Sequence, residues 1–101
     1  MSIKTNLAII DKDLEDIFDM FLINKKKESE QLLDCLIKKD IKKIHEIAHK
    51  VAGNAGSYGL YQLSLISSEL EEACISNNNQ KITELVYDFS NFLNTLSYKF
   101  E

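Results

Sequence analysis

DIKKIHEIAHKVAGNAGSYGLYQLSLISSELEEAC, residues 40–74, is the stretch that decides the fold. Its apolar residues recur at helical spacing on both sides of a short segment holding the chain's three glycines, Gly53, Gly56 and Gly59. Asp40 is a natural N-cap for a helix carrying Ile41, Ile44, Ala48, Val51 and Ala55. Gly56-Ser57-Tyr58-Gly59 then turns the chain. A second helix follows, carrying Leu60, Leu63, Ser67, Leu70 and Cys74.

The same period extends outward in both directions. Upstream, Leu14, Ile17, Phe18 and Phe21 follow i, i+3, i+4, i+7, and Leu32, Leu33, Leu36 and Ile37 mark another stretch beyond the polar run 24–28. These form one long bent helix or two helices. Downstream, Ser76-Asn77-Asn78-Asn79 is rich in turn formers and leads into a helix carrying Ile82, Leu85, Phe89, Phe92, Leu93 and Leu96. With no proline and so few glycines, little is left to punctuate strands. The expectation is an all-α fold in a single domain over residues 1–101: an antiparallel up-down four-helix bundle with an additional N-terminal helix.

Composition excludes several classes. At 45% apolar and 28% charged residues the chain is ordinary globular material. A net charge of −4 and a pI near 5.2 argue against nucleic-acid binding. The lysines at 25–27 read as a solvated face. No apolar run is long enough for a membrane span, and the opening MSIKTNLAIIDKD is a poor leader, so a cytoplasmic protein is expected. The initial Met and compact length favour a whole protein. Cys35 and Cys74 sit inside helical patterns and read as small buried thiols.

On a wheel of about 100° per residue, Ile41, Ile44, Ala48, Val51 and Ala55 share one sector. His49 points roughly 130° from its centre, Gly53 lies almost opposite it, and His45 lies at its flank. A glycine in an exposed helix interior costs about 1 kcal/mol relative to alanine. With Ala52 and Gly56 it leaves a surface stripped of side chains beside an exposed imidazole, open to the backbone of a partner. The bland alternative is a helix fraying toward Gly59 with an idle histidine.

The segment AHKVAGNAGSYGLYQLSLISSELE, residues 48–71, resembles the signature of histidine-containing phosphotransfer (HPt) domains. The matching residues are Ala48, His49, Val51, Gly53, Gly59, Leu63, Leu70 and Glu71, in one fixed register. Many relatives carry lysine where this chain has Ala52; a subgroup with alanine there has a basic residue directly after the histidine, as Lys50 is here. The resemblance implies that His49 takes a phosphoryl group from a receiver-domain aspartate and passes it to another receiver. It implies Lys50 as the cation steadying that group, a docking patch of His45, Ala52, Gly53 and Gly56, and Gly59 as the turn. The implied partners are response-regulator receiver domains and a hybrid sensor histidine kinase, and a monomer is expected. No cofactor or metal is expected on this chain, the Mg²⁺ belonging to the receiver. With no GxxxxGK[ST] loop and no kinase-like glycine motif, this is a phosphocarrier without ATP-dependent kinase activity.

A competing motif overlaps the first. His45-Glu46-Ile47-Ala48-His49 is literally H-E-x-x-H, the zinc-hydrolase pattern, with Glu69 at the spacing of a third ligand. Against it stand the absence of any further histidine and of an expected strand to hold a peptide substrate. Glu46 reads as a surface partner of Lys50, and Tyr58, Tyr61 and Gln62 either line the docking surface or finish the bundle.

Overall fold

The structure, a computed structural model, describes residues 6–101. Residues 1–5, at the start of the stretch read above as a poor leader, lie outside them. Four helices dominate: α1 (Glu15–Lys38), α2 (Ile41–Asn54), α3 (Tyr61–Ile75) and α4 (Asn79–Thr95). Short 3-10 turns cover Lys12–Leu14 and Ala55–Tyr58. Strands β1 (Asn6–Ile10) and β2 (Leu96–Phe100) flank the helical body. Helix α1 packs on α2 and α4, and α3 packs on the same two.

No separate helix precedes α1 among the described residues. The two upstream apolar stretches are one helix, because the run at 24–28 contains good helix formers and no breaker. Lys25 and Glu28 within that run are buried and paired with each other, and the Lys25 ammonium lies 4.8 Å from the centre of the Phe21 ring. Only Lys26 and Lys27 of the lysine run are solvated.

The three helix-to-helix connections close with one device. Lys39, Gly59 and Asn77 adopt left-handed φ values of 59°, 81° and 53°. At each, two backbone bonds form the Schellman pattern: Lys39 to Leu36 and Asp40 to Cys35, Gly59 to Gly56 and Leu60 to Ala55, Asn77 to Cys74 and Asn78 to Ala73. The residue completing each motif is also the N-cap of the next helix. Asp40 accepts from the Lys43 amide at 3.1 Å, Asn78 accepts from the Lys81 amide at 3.2 Å, and Leu60 serves without a side-chain bond.

The strands are a departure from the sequence expectation, which ran the last helix through Leu96 and foresaw no strand. β1 and β2 pair in parallel, from Asn6 with Leu96 to Ile10 with Phe100. Leu96, Tyr98 and Phe100 alternate with the exposed Ser97 and Lys99, a period of two. A parallel pair needs a long crossover, and here the whole helical body supplies it. The sheet survives with only two strands because it packs on the core: Ile10 is fully buried, and the Phe18 ring lies 4.7 Å from Tyr98 and 5.8 Å, edge on, from Phe100. Phe18, Leu32, Ile44, Val51, Leu63, Leu70, Ile82 and Phe89 form the centre of one buried cluster. Cys35 and Cys74 are buried free thiols, as expected.

Candidate functional site

α2 buries Ile44, Ile47, Ala48 and Val51 and turns its opposite side to solvent. The His49 side chain on that side is 74% exposed. Its Nδ1 is not free: it lies 2.5 Å from Oε2 of Glu71 on α3. A carboxylate at neutral pH can only accept, so Nδ1–H is the donor and the neutral ring keeps its lone pair on Nε2. Glu71 is well placed because the α2–α3 turn brings the helices together here. Ser64 Oγ donates to the Ala52 carbonyl at 2.8 Å a few residues along the same contact.

His45, one turn before His49, is part of the same cluster. Its Nε2 lies 3.7 Å from the same Glu71 oxygen, and the two rings are 6.4 Å apart with planes 10° from parallel. Glu46 is turned to Lys43, at 3.9 Å, rather than to Lys50. Lys50 reaches α1 instead, with Nζ 3.6 Å from Glu28 Oε2; this is an ion pair outside hydrogen-bonding distance.

The bare patch is present. A Cβ built on Gly53 would have no heavy atom within 4 Å, and one on Gly56 would meet only Tyr61 Cδ1, at 3.9 Å. Gly53 is the penultimate residue of α2, whose last turn runs directly into the 3-10 turn Ala55–Tyr58. Gly59 is a different kind of glycine. Its φ is +81°, and a Cβ there would stand 3.2 Å from both the Ile9 carbonyl and Ile10 Cδ1. Of the three polar residues near the turn, Tyr58 finishes the bundle, stacked 3.8 Å from Phe21, while Tyr61 and Gln62 are exposed.

The metal-binding alternative gains no geometry. Glu69 faces a groove shared with Ser68, Glu72, Ser76 and Lys81. Among the described residues no group of three or more His, Cys, Asp or Glu could hold a metal ion. The role of Glu71 is what sequence reasoning misses. It belongs to the matched pattern, but which acidic residue of Glu69, Glu71 and Glu72 faces α2 depends on the phase of α3.

A mostly helical module that presents the His49 imidazole on an open face, with its Nδ1 held by a carboxylate, has the form of a scaffold for a surface nucleophile. The Hpt domain family model matches residues 12–97, and the chain belongs to the Hpt domain family, whose members carry out histidine phosphotransfer in two-component phosphorelays. No curated protein and no solved structure matches the chain. No helix among the described residues is long and apolar enough to cross a membrane.

Proposed function

We propose that this chain is a phosphorelay intermediate with His49 as the phosphoacceptor. The observation that carries the reading is the exposed His49 with its Nδ1 held by Glu71, in a chain of this family. Nε2 attacks the phosphorus of an aspartyl phosphate on a receiver domain. The Nε2–P bond forms as the aspartyl O–P bond breaks, and the carboxylate leaves. The ring becomes cationic as Nε2 bonds, and the proton on Nδ1 stays shared with Glu71, which offsets that charge. Return to a second receiver reverses each step.

The patch of Ala52, Gly53 and Gly56, with His45 at its edge, lets a receiver backbone approach His49 closely. Gly59 sets the turn that places α3 and its Glu71 beside α2. Lys50 serves as a phosphate-stabilising cation if it leaves Glu28 for the phosphoryl group. Mg²⁺ belongs to the receiver and supplies charge neutralisation there. Within this reading residues 1–101 form one monomeric phosphotransfer domain, and the short turns and helix packing support an antiparallel up-down bundle. A hybrid sensor histidine kinase stands upstream, and the chain itself has no ATP-dependent kinase activity. The zinc-hydrolase reading has no observation in its favour.

The test is transfer of radiolabel from a phosphorylated receiver. The label should be lost in acid and retained in base, as an N–P bond requires, and His49→Gln should take none while keeping its helical content. Labelling that persists in His49→Gln refutes the assignment.

A further inference from the structure

A phosphoryl group brings roughly two negative charges, and on His49 it would join Glu71, whose carboxylate is already at 2.5 Å from the ring. The positive charge of the phosphorylated ring offsets only part of this, so the cluster still calls for a further cation, and the nearby lysines are placed elsewhere. Lys50 reaches Glu28 on α1, Lys25 is buried against the same Glu28, and Lys43 is turned to Glu46. Lys42 lies two turns before His49, and a helical side chain leans toward the N-terminus, which carries its stem away from the site. Position 52, one turn along, holds an uncharged alanine.

His45 is the remaining base. The same N-terminal lean carries the His49 ring toward the turn of His45, and the rings stand nearly parallel at 6.4 Å. His45 Nε2 is already 3.7 Å from Glu71 Oε2. The groups facing it are Glu71 from α3 and His49 from its own helix, while Lys50, the residue after His49, is engaged with Glu28 of α1. An imidazole changes charge within the physiological range, so a modest change of field is enough to switch it.

We infer that His45 supplies a second cation at the phosphorylated site, beside Lys50: when His49 carries phosphate, His45 takes one proton from solvent and stands as an imidazolium facing Glu71 beside the phosphorylated ring. This rests on the reading of His49 as phosphoacceptor. The transfer step is unchanged, and His45 exchanges only a proton with water. It is a positioning and charge-balancing residue, and it makes retention of the phosphoryl group depend on pH.

The test uses the full chain, phosphorylated directly with phosphoramidate, and two variants, His45→Gln and His45→Lys. The ¹⁵N shifts of the His45 ring at pH 7.5 should move from the neutral toward the imidazolium pattern on phosphorylation of His49. In equilibrium with a receiver at low salt, the phosphorylated fraction of wild type should exceed that of His45→Gln by about threefold near pH 6.5. The two should converge as pH rises and His45 loses its proton. His45→Lys should match wild type at low pH and retain more phosphate than wild type at high pH. A ratio that stays flat with pH, or ring shifts that do not respond to phosphorylation, overturns the inference. Wild-type protein that takes no phosphoryl group from either donor refutes the His49 reading, and this inference with it.

Discussion

Glu28 on α1 joins two lysines at once: it bonds the buried Lys25 on its own helix and lies 3.6 Å from Lys50 on α2. The lysine that follows His49 is thus anchored to the neighbouring helix by a carboxylate that is only 10% exposed. Removing one member of a buried pair strands the other charge. Glu28→Gln should therefore destabilise the fold by about 3 kcal/mol, seen as a lower urea midpoint with an unchanged slope. A loss within experimental error would mean Lys25 finds water.

The anchor also limits what Lys50 can contribute. Lys50→Ala should lower the equilibrium phosphorylated fraction modestly, by less than about 1 kcal/mol, and Ala52→Lys in that background should restore it. No change at low salt, where screening is weakest, would leave the charge to His45 or the receiver.

Glu71→Gln separates positioning from chemistry. The amide can still contact Nδ1 but no longer offsets the developing ring charge. Single-turnover transfer should slow by about tenfold to a hundredfold, with the label still on His49, and ring ¹⁵N shifts should show a more mixed tautomer population. An unchanged rate would make the short contact incidental to transfer.

The glycines give opposite expectations. Gly53→Gln points into open space, so it should keep or raise stability by up to about 1 kcal/mol while slowing transfer through obstruction of the partner. Gly59→Ala needs a left-handed conformation and meets the Ile9 carbonyl at 3.2 Å, so it should cost at least about 1–2 kcal/mol. Thermal melts and transfer assays on the two variants should diverge in these directions.

Burial, with a smaller contribution from Glu71, pushes the Cys74 thiol up to about 11. An unfolded thiol ionises at about 8.5, so the unfolded state loses its proton first as pH rises. Stability should be unaffected by Cys74 below that point and should decline between it and about 11. Denaturation midpoints of wild type and Cys74→Ala should show a pH-dependent gap that opens only in this window.

The helices were legible because their signals are local. Asp40 caps where expected, the turn formers at 76–79 open α4, the apolar period marks the buried faces except at the exposed Ile17 and Ile37, and His49 and Gly53 fall on the exposed side that the wheel assigns them. The run at 24–28 misleads because a buried Lys25–Glu28 pair has the same letters as a solvated face, and only the third dimension supplies Phe21 and Lys50 around it. The strands were missed because each is five residues long and its partner lies at the other end of the chain. The Glu71–His49 contact was not foreseen, and the expected Glu46–Lys50 pair does not form, for a similar reason. The partners of Glu71 and Lys50 sit on other helices, and the rotational phase of each helix decides which acid meets which base.

That phase is locked by the way one residue ends a helix and begins the next. Asp40, Leu60 and Asn78 each do both, so the connections contain no slack residue that could absorb a change in length. A single residue inserted between Gly59 and Leu60 would not merely lengthen a loop. Accommodated within the helix, it would turn α3 by about 100° and carry Glu71 out of reach of His49. An insertion or deletion at any of these three corners would therefore damage the site as surely as a change in the core, without touching a residue of the site itself.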